Sequence, residues 1–192
     1  MIKVAKNEKK VLCYSHLFVP LHVIMKQVTV DDAILRQAAA EGVDAFAGVF
    51  VQAIRQAIGG ELTAQNMTEL NSDQITLLAW DMLHEEVMDG GFVQLIHNGY
   101  GPFIFLNPFA KAVKLWGLHD LSKLIYDGRR LYDKYGRQIE RDCTDAEFMA
   151  LFEQFPEFDD MDDTFVEQEE AWTERIARYI DEHLDRFCVI KH

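Results

Sequence analysis

Few residues in this chain have types and spacing that could do chemistry, and each can be tested in turn. His84-Glu85 opens like the HExxH zinc motif, in which two His on one helix face ligate the metal and the Glu serves as base. The fifth position is Met88, so the second ligand is missing. Asp160, Asp162 and Thr164 imitate the opening of a calcium loop. That loop needs Gly at position six and Glu at position twelve, and here those positions hold Phe165 and Ala171. The paired glycines, Gly59-Gly60 and Gly90-Gly91, fit neither GxGxxG nor GxxxxGKS/T, so no phosphate cradle is legible. His97, His119 and His183 lack ligand spacing, and no two carboxylates lie in a pattern that would split their pKa values. The residues therefore predict a protein that is not an enzyme and carries no metal or cofactor.

Charge is more informative. Acids outnumber bases 32 to 19 over 192 residues, a net charge of −13. From Glu140 to Cys188 there are 17 acids and 4 bases, while the rest of the chain holds 15 of each. The whole imbalance lies in the last quarter. Direct binding to nucleic acid or to an anionic membrane is disfavoured, because both present like charge. A basic protein is the partner such a surface suits.

At about 100° per residue, Asp163, Glu167, Glu170, Glu174, Asp181 and Asp185 fall within about 60° of arc on a last helix. Phe165, Trp172, Ile176, Tyr179, Ile180, Leu184 and Phe187 take the opposite side. Only Arg178 interrupts the acidic stripe, and Glu169 falls on the apolar side. Carboxylates four residues apart rise about 6 Å along a helix, comparable with the phosphate spacing on one DNA strand. Any surface helix needs a polar face, and acids in its first turn suit the helix dipole. Like charges at i,i+4 nevertheless cost a few tenths of a kcal/mol per pair, and ordinary helices mix in Lys. Solvation and partner binding both remain open on this reading. The candidate contacts are Asp159, Asp160, Asp162, Asp163, Glu167, Glu170 and Glu174.

The elements that must position these residues are helical. Thr29 with Asp32 reads as a start, followed by apolar residues at three- and four-residue intervals to Ile58, broken at Gly42 and ended at Gly59-Gly60. Glu61 to Asn71 reads as a loop. Asn71 and Gln74 cap a helix to about Met88, and Asp89-Gly90-Gly91 must then turn tightly before a short helix from Phe92 to Asn98. Gly99, Gly101 and Pro102 end that helix. Asn107-Pro108 starts another that closes at Gly117, and His119 to about Tyr135 makes the next. Thr144 with Glu147 forms a capping box, and Pro156 stops its helix. The acidic turn at 159–163 launches the last helix, to about Phe187. No strand and no repeat is legible. The expectation is all-α: a single helical domain of about eight helices over residues 29–192, ending in a long acidic helix.

The Asp89-Gly90-Gly91-Phe92 turn has two readings. Its backbone amides could hold an anion at a helix start. Alternatively the glycines let two helices approach closely while Phe92 plugs the core, and the lack of a nearby basic residue favours this second role.

The segment EVMDGGFVQLIHN, Glu86 to Asn98, resembles a bacterial family named for a small acidic DNA-mimic protein. The matching residues are Gly90, Gly91, Phe92, Gln94 and Asn98, then Ala112 to Gly117, and finally Tyr179-Ile180. Asp89 stands where the family usually has Asn. The resemblance spans roughly residues 70–187. It implies a helical, dimeric, cytoplasmic protein whose carboxylates imitate duplex phosphates and occupy the DNA-binding surface of a transcription regulator. The turn residues, Asp89 included, are implied to be structural. Two other functions stay open: a helical interaction or immunity-type module without charge mimicry, and an enzyme of unrecognised type with a pocket near Gly90–Asn98 and Tyr100.

Residues 1–28 read as an N-terminal extension or short packed segment. Lys3, Lys6, Lys9 and Lys10 precede the mostly apolar run from Val11 to Met25, which loosely resembles a secretory signal. His16, Pro20 and His22 interrupt the run, and no A-x-A-like cleavage site follows. Met25 is an alternative start to Met1. No apolar run reaches the ~18 residues of a membrane span. Cys13, Cys143 and Cys188 are odd in number without CxxC spacing, which fits a reducing cytoplasm.

Overall fold

Asp31, rather than Thr29, starts the first helix. Its carboxylate accepts the Ala33 amide at 2.8 Å, satisfying one of the donors that a helix start leaves unpaired. The computed structural model describes residues 25–192, so the readings for residues 1–24 fall outside the described residues. Helix α1 spans Asp32–Glu41, and Gly42 at φ 135° turns the chain into α2, Val43–Ile58. The expected break at Gly42 and stop at Gly59 both occur, with Gly59 in the left-handed region.

Thr29 belongs instead to a strand, β1 (Thr29–Asp31), which pairs in parallel with β2 (Val189–Lys191) in the register Val30 to Ile190. The sequence reading contained no strand. Three residues are too few to show a period of two, and this pairing joins the two ends of the described chain.

Between them lie α3 (Ser72–His97), α4 (Gly101–Phe105), α5 (Phe109–Leu115), α6 (His119–Ile139), α7 (Asp145–Gln154), α8 (Asp159–Glu182) and α9 (Leu184–Phe187), with 3-10 turns at Asn66–Glu69 and Pro156–Phe158. The described residues thus hold nine α-helices, and the all-α expectation stands. Both capping boxes form: Asn71 with Gln74 before α3, and Thr144 with Glu147 before α7. Helix α3 ends at Asn98 and the left-handed Gly99, while Gly101-Pro102 starts α4, because a Pro in the first turn forfeits no helical hydrogen bond. Asn107 accepts the Phe109 amide at 2.8 Å. Helix α6 runs four residues past Tyr135. Its Gly128 is buried against Phe105 and Met161, where a Cβ would come within 2.6–2.7 Å of their side chains. Close helix approach, not a weak point in the helix, accounts for that glycine.

Helices α3 and α8 meet across an aromatic core. Phe165 stacks on Trp80 with ring centroids 5.8 Å apart and meets Trp172 at 5.5 Å and Phe92 at 6.0 Å. Phe92, Phe165 and Trp172 are almost wholly buried, and each contributes roughly 1.5–3 kcal/mol or more by leaving water. This packing sets the rotation of α8 and therefore which of its residues face outward.

Candidate functional site

The outward side of α8 is carboxylate. Asp159 and Asp160 are exposed in its first turn, where their charge suits the unpaired amides of a helix start that has no side-chain cap. Asp163, Glu167, Glu170 and Glu174 follow, all exposed. Among the described residues, no Lys, Arg or His nitrogen lies within 4.0 Å of any of these six. Several acids elsewhere are partnered, whereas others, Asp181 and Asp185 among them, have no cation within 4.0 Å among the described residues either. Arg55 lies 2.8 Å from Asp81 and 3.8–3.9 Å from Glu85 and Glu61, while Asp73 lies 3.7 Å from Arg186. Asp81 is pushed up to about 6 by burial, with Arg55 pulling the other way.

Two acids of α8 turn inward. Glu169 accepts from His84 Nε2 at 3.0 Å, in keeping with its place on the apolar side of the helix. Asp162, one of the candidate contacts, is the other. Its Oδ1 accepts the Phe92 amide at 2.8 Å, and it is half-buried over the glycine turn. Burial raises its carboxyl to about 6, opposed by the Phe92 hydrogen bond and assisted by neighbouring Asp159 and Asp163. Its helical phase is about 100° behind that of Asp163, so it sits off the acidic arc. Asp185 also leaves the stripe, because His183 at φ −138° and ψ 37° interrupts the helix before it.

The glycine turn explains itself at this junction. Helix α3 is kinked at Gly90 (φ −160°, ψ 24°) and Gly91 (φ 73°, ψ −177°). A Cβ on Gly91 would lie 2.6–2.8 Å from the Asp162 carboxylate, so the turn needs glycine both for its dihedral angles and for room. Gln94 donates to Asp89 at 2.7 Å, and Asn98 donates to Glu86 at 2.8 Å. The two sequence readings therefore merge. The turn does present a backbone amide to an anion, but the anion is the chain's own Asp162, and the effect is to lock α8 onto α3. Gln94 and Asn98 are thus both committed to bonds within α3 and its C-terminal end.

Among the described residues no cluster of three or more His, Cys, Asp or Glu could hold a metal ion, and no helix is long and apolar enough to cross a membrane.

An all-α acidic protein with a carboxylate row on its last long helix that no cation compensates among the described residues, braced by a kinked helix at a GGF turn, is the class these features define. The signature of the DMP19-like protein family matches residues 68–183, and the chain belongs to that family. DNA mimic protein DMP19 of Neisseria meningitidis serogroup B (strain ATCC BAA-335 / MC58) is 36% identical over 135 residues, which cover 68% of this chain and 82% of that protein. The family is not an enzyme family.

Proposed function

We propose that this protein is a non-enzymatic DNA mimic: Asp159, Asp160, Asp163, Glu167, Glu170 and Glu174 stand in for backbone phosphates and occupy the DNA-binding surface of a basic protein, a transcription regulator. The single observation behind this reading is the row of exposed acids on α8 that no cation within 4.0 Å compensates among the described residues. From Asp159 to Glu174 the row rises about 22 Å, the axial length of six or seven phosphates on one strand. The relative's name as a DNA mimic supports the same reading. Asp162, among the contacts expected from sequence, is given a positioning role instead. A cytoplasmic homodimer, as the family resemblance implies, would carry two such rows.

Salt decides the matter, because attraction between exposed charges is screened over about 8–10 Å at physiological ionic strength. The immobilised full chain should capture a basic DNA-binding protein from its host's lysate at ~0.05 M salt and release it by ~0.5 M. DNA carrying that protein's own site should compete. A captured partner that survives high salt, or that binds an E167K/E170K/E174K variant equally well, would sink the mimic reading.

A second reading, an interaction module without mimicry, draws on one observation. An apolar cleft of about 650 Å³ lies between α3, α4 and α5, lined by Met67, Ile75, Phe103 and Phe109. Salt-insensitive capture would favour it.

A further inference from the structure

A cavity of about 790 Å³ lies where the start of α3, the helix α5 and the α8–α9 junction meet, on groups that the acidic row does not use. We propose that it is a binding site for a small organic anion, a carboxylate or phosphate carried on a flat or aliphatic body.

The walls are built and fixed. Asp73, the one carboxylate lining the cavity, is already engaged. Its Oδ1 accepts from Trp116 Nε1 at 2.9 Å and from the Tyr179 hydroxyl at 3.3 Å, and its Oδ2 lies 3.7 Å from Arg186. The Tyr179 hydroxyl in turn accepts from Arg186 Nη1 at 2.9 Å. The Tyr179 ring is sandwiched between Trp116, at 4.6 Å and 19°, and His183, at 4.2 Å and 24°. Asn71 and Gln74 donate to the carbonyls of Arg186 and Phe187 at 2.7 and 3.0 Å, which ties the α9 turn to the start of α3. Residues from three distant parts of the chain are thus held as one preorganised wall.

The polar groups left over point to an anion. Lys111 lines the cavity with no carboxylate within 4.0 Å among the described residues. Arg186 spends one nitrogen on Tyr179 and keeps further N–H donors in a fork suited to carboxylate or phosphate. His183 Nδ1 donates to the Tyr179 carbonyl at 2.8 Å, so in the neutral ring Nε2 is an acceptor, suited to a hydroxyl or a protonated phosphate oxygen of the ligand. In a chain of net charge −13, Lys111 and Arg186 both line this one cavity. Beside them Leu115, 77% exposed, and Ala112 give an apolar shelf for the ligand's body. The volume falls in the range of small-molecule sites, in which apolar walls are joined by a few placed polar groups.

The full chain should be titrated with phenyl phosphate, benzoate and inorganic phosphate, following heat and tryptophan fluorescence. Phenyl phosphate or benzoate should bind saturably, at least about tenfold tighter than inorganic phosphate, and the stronger of the two names the head group. K111A should weaken binding about tenfold, and L115S several-fold, with far-UV circular dichroism unchanged. An E167Q/E170Q/E174Q variant should bind as the parent does, which separates this site from the acidic row. Failure of all three probes to saturate by about 10 mM would overturn the proposal, as would binding indifferent to both K111A and L115S. Equal affinity for inorganic phosphate would overturn the organic body.

Discussion

The Asp162 carboxylate accepts the Phe92 amide at 2.8 Å and thereby fastens α8 to the kink of α3. An acid in the most acidic stretch of the chain is thus withdrawn from the surface to hold the rest in place. D162A should leave the Phe92 N–H half-buried and unpaired, at a cost of about 1–3 kcal/mol. D162N keeps an oxygen for that amide and removes the buried charge. It should match or exceed the parent at pH 7.5 in urea unfolding, and a D162N protein as unstable as D162A would refute this role.

Burial also gives the fold a pH dependence of definite sign. Asp81 and Asp162 both titrate near 6 in the folded chain, against an ordinary value of 3.8. Between those values the folded state binds more protons than the unfolded one, so stability falls as pH rises. The contribution is fully present below about 4 and lost as pH passes 6, on the order of 1–3 kcal/mol per group. Urea midpoints should therefore rise from pH 7.5 to pH 5, and D162N should flatten that rise. A midpoint that falls over the same interval would contradict the assignment.

Gly91 admits no substitute. Alanine there would have to adopt φ 73° with ψ −177° and place its Cβ against the Asp162 carboxylate. G91A should cost roughly 2–4 kcal/mol, from backbone strain and loss of the Asp162 contact together. In the double variant with D162A the two losses should be less than additive, because the residues touch. Strict additivity in thermal unfolding would argue against the shared contact.

The acidic row should be dispensable for folding. Glu170 and Glu174 are like charges four residues apart, and Glu167 lies three before Glu170. E167Q/E170Q/E174Q should leave stability unchanged or raise it by a few tenths of a kcal/mol per relieved pair, while capture of the basic partner is lost. A variant that unfolds would mean that the row is structural.

Local chemistry was enough to read much of this protein. Helix starts at Asn71 and Thr144, stops at Gly42 and Gly59, the bend at Gly90-Gly91 and the apolar side of α8 all depend on residues within a turn or two of one another, which is why their spacing shows them. The charge asymmetry is likewise a property of composition. Other features depend on partners far away in the chain. Asp162 became an anchor because Phe92, 70 positions earlier, offers its amide. Glu169 was withdrawn by His84. Val30 found a strand partner in Ile190, and Asp73, Trp116 and Tyr179 meet around one cavity. Periodicity assigns a face to a side chain, but burial and hydrogen bonding depend on what the other elements bring to that face. Only the packed chain decides which carboxylates remain in water and which are claimed by its own backbone.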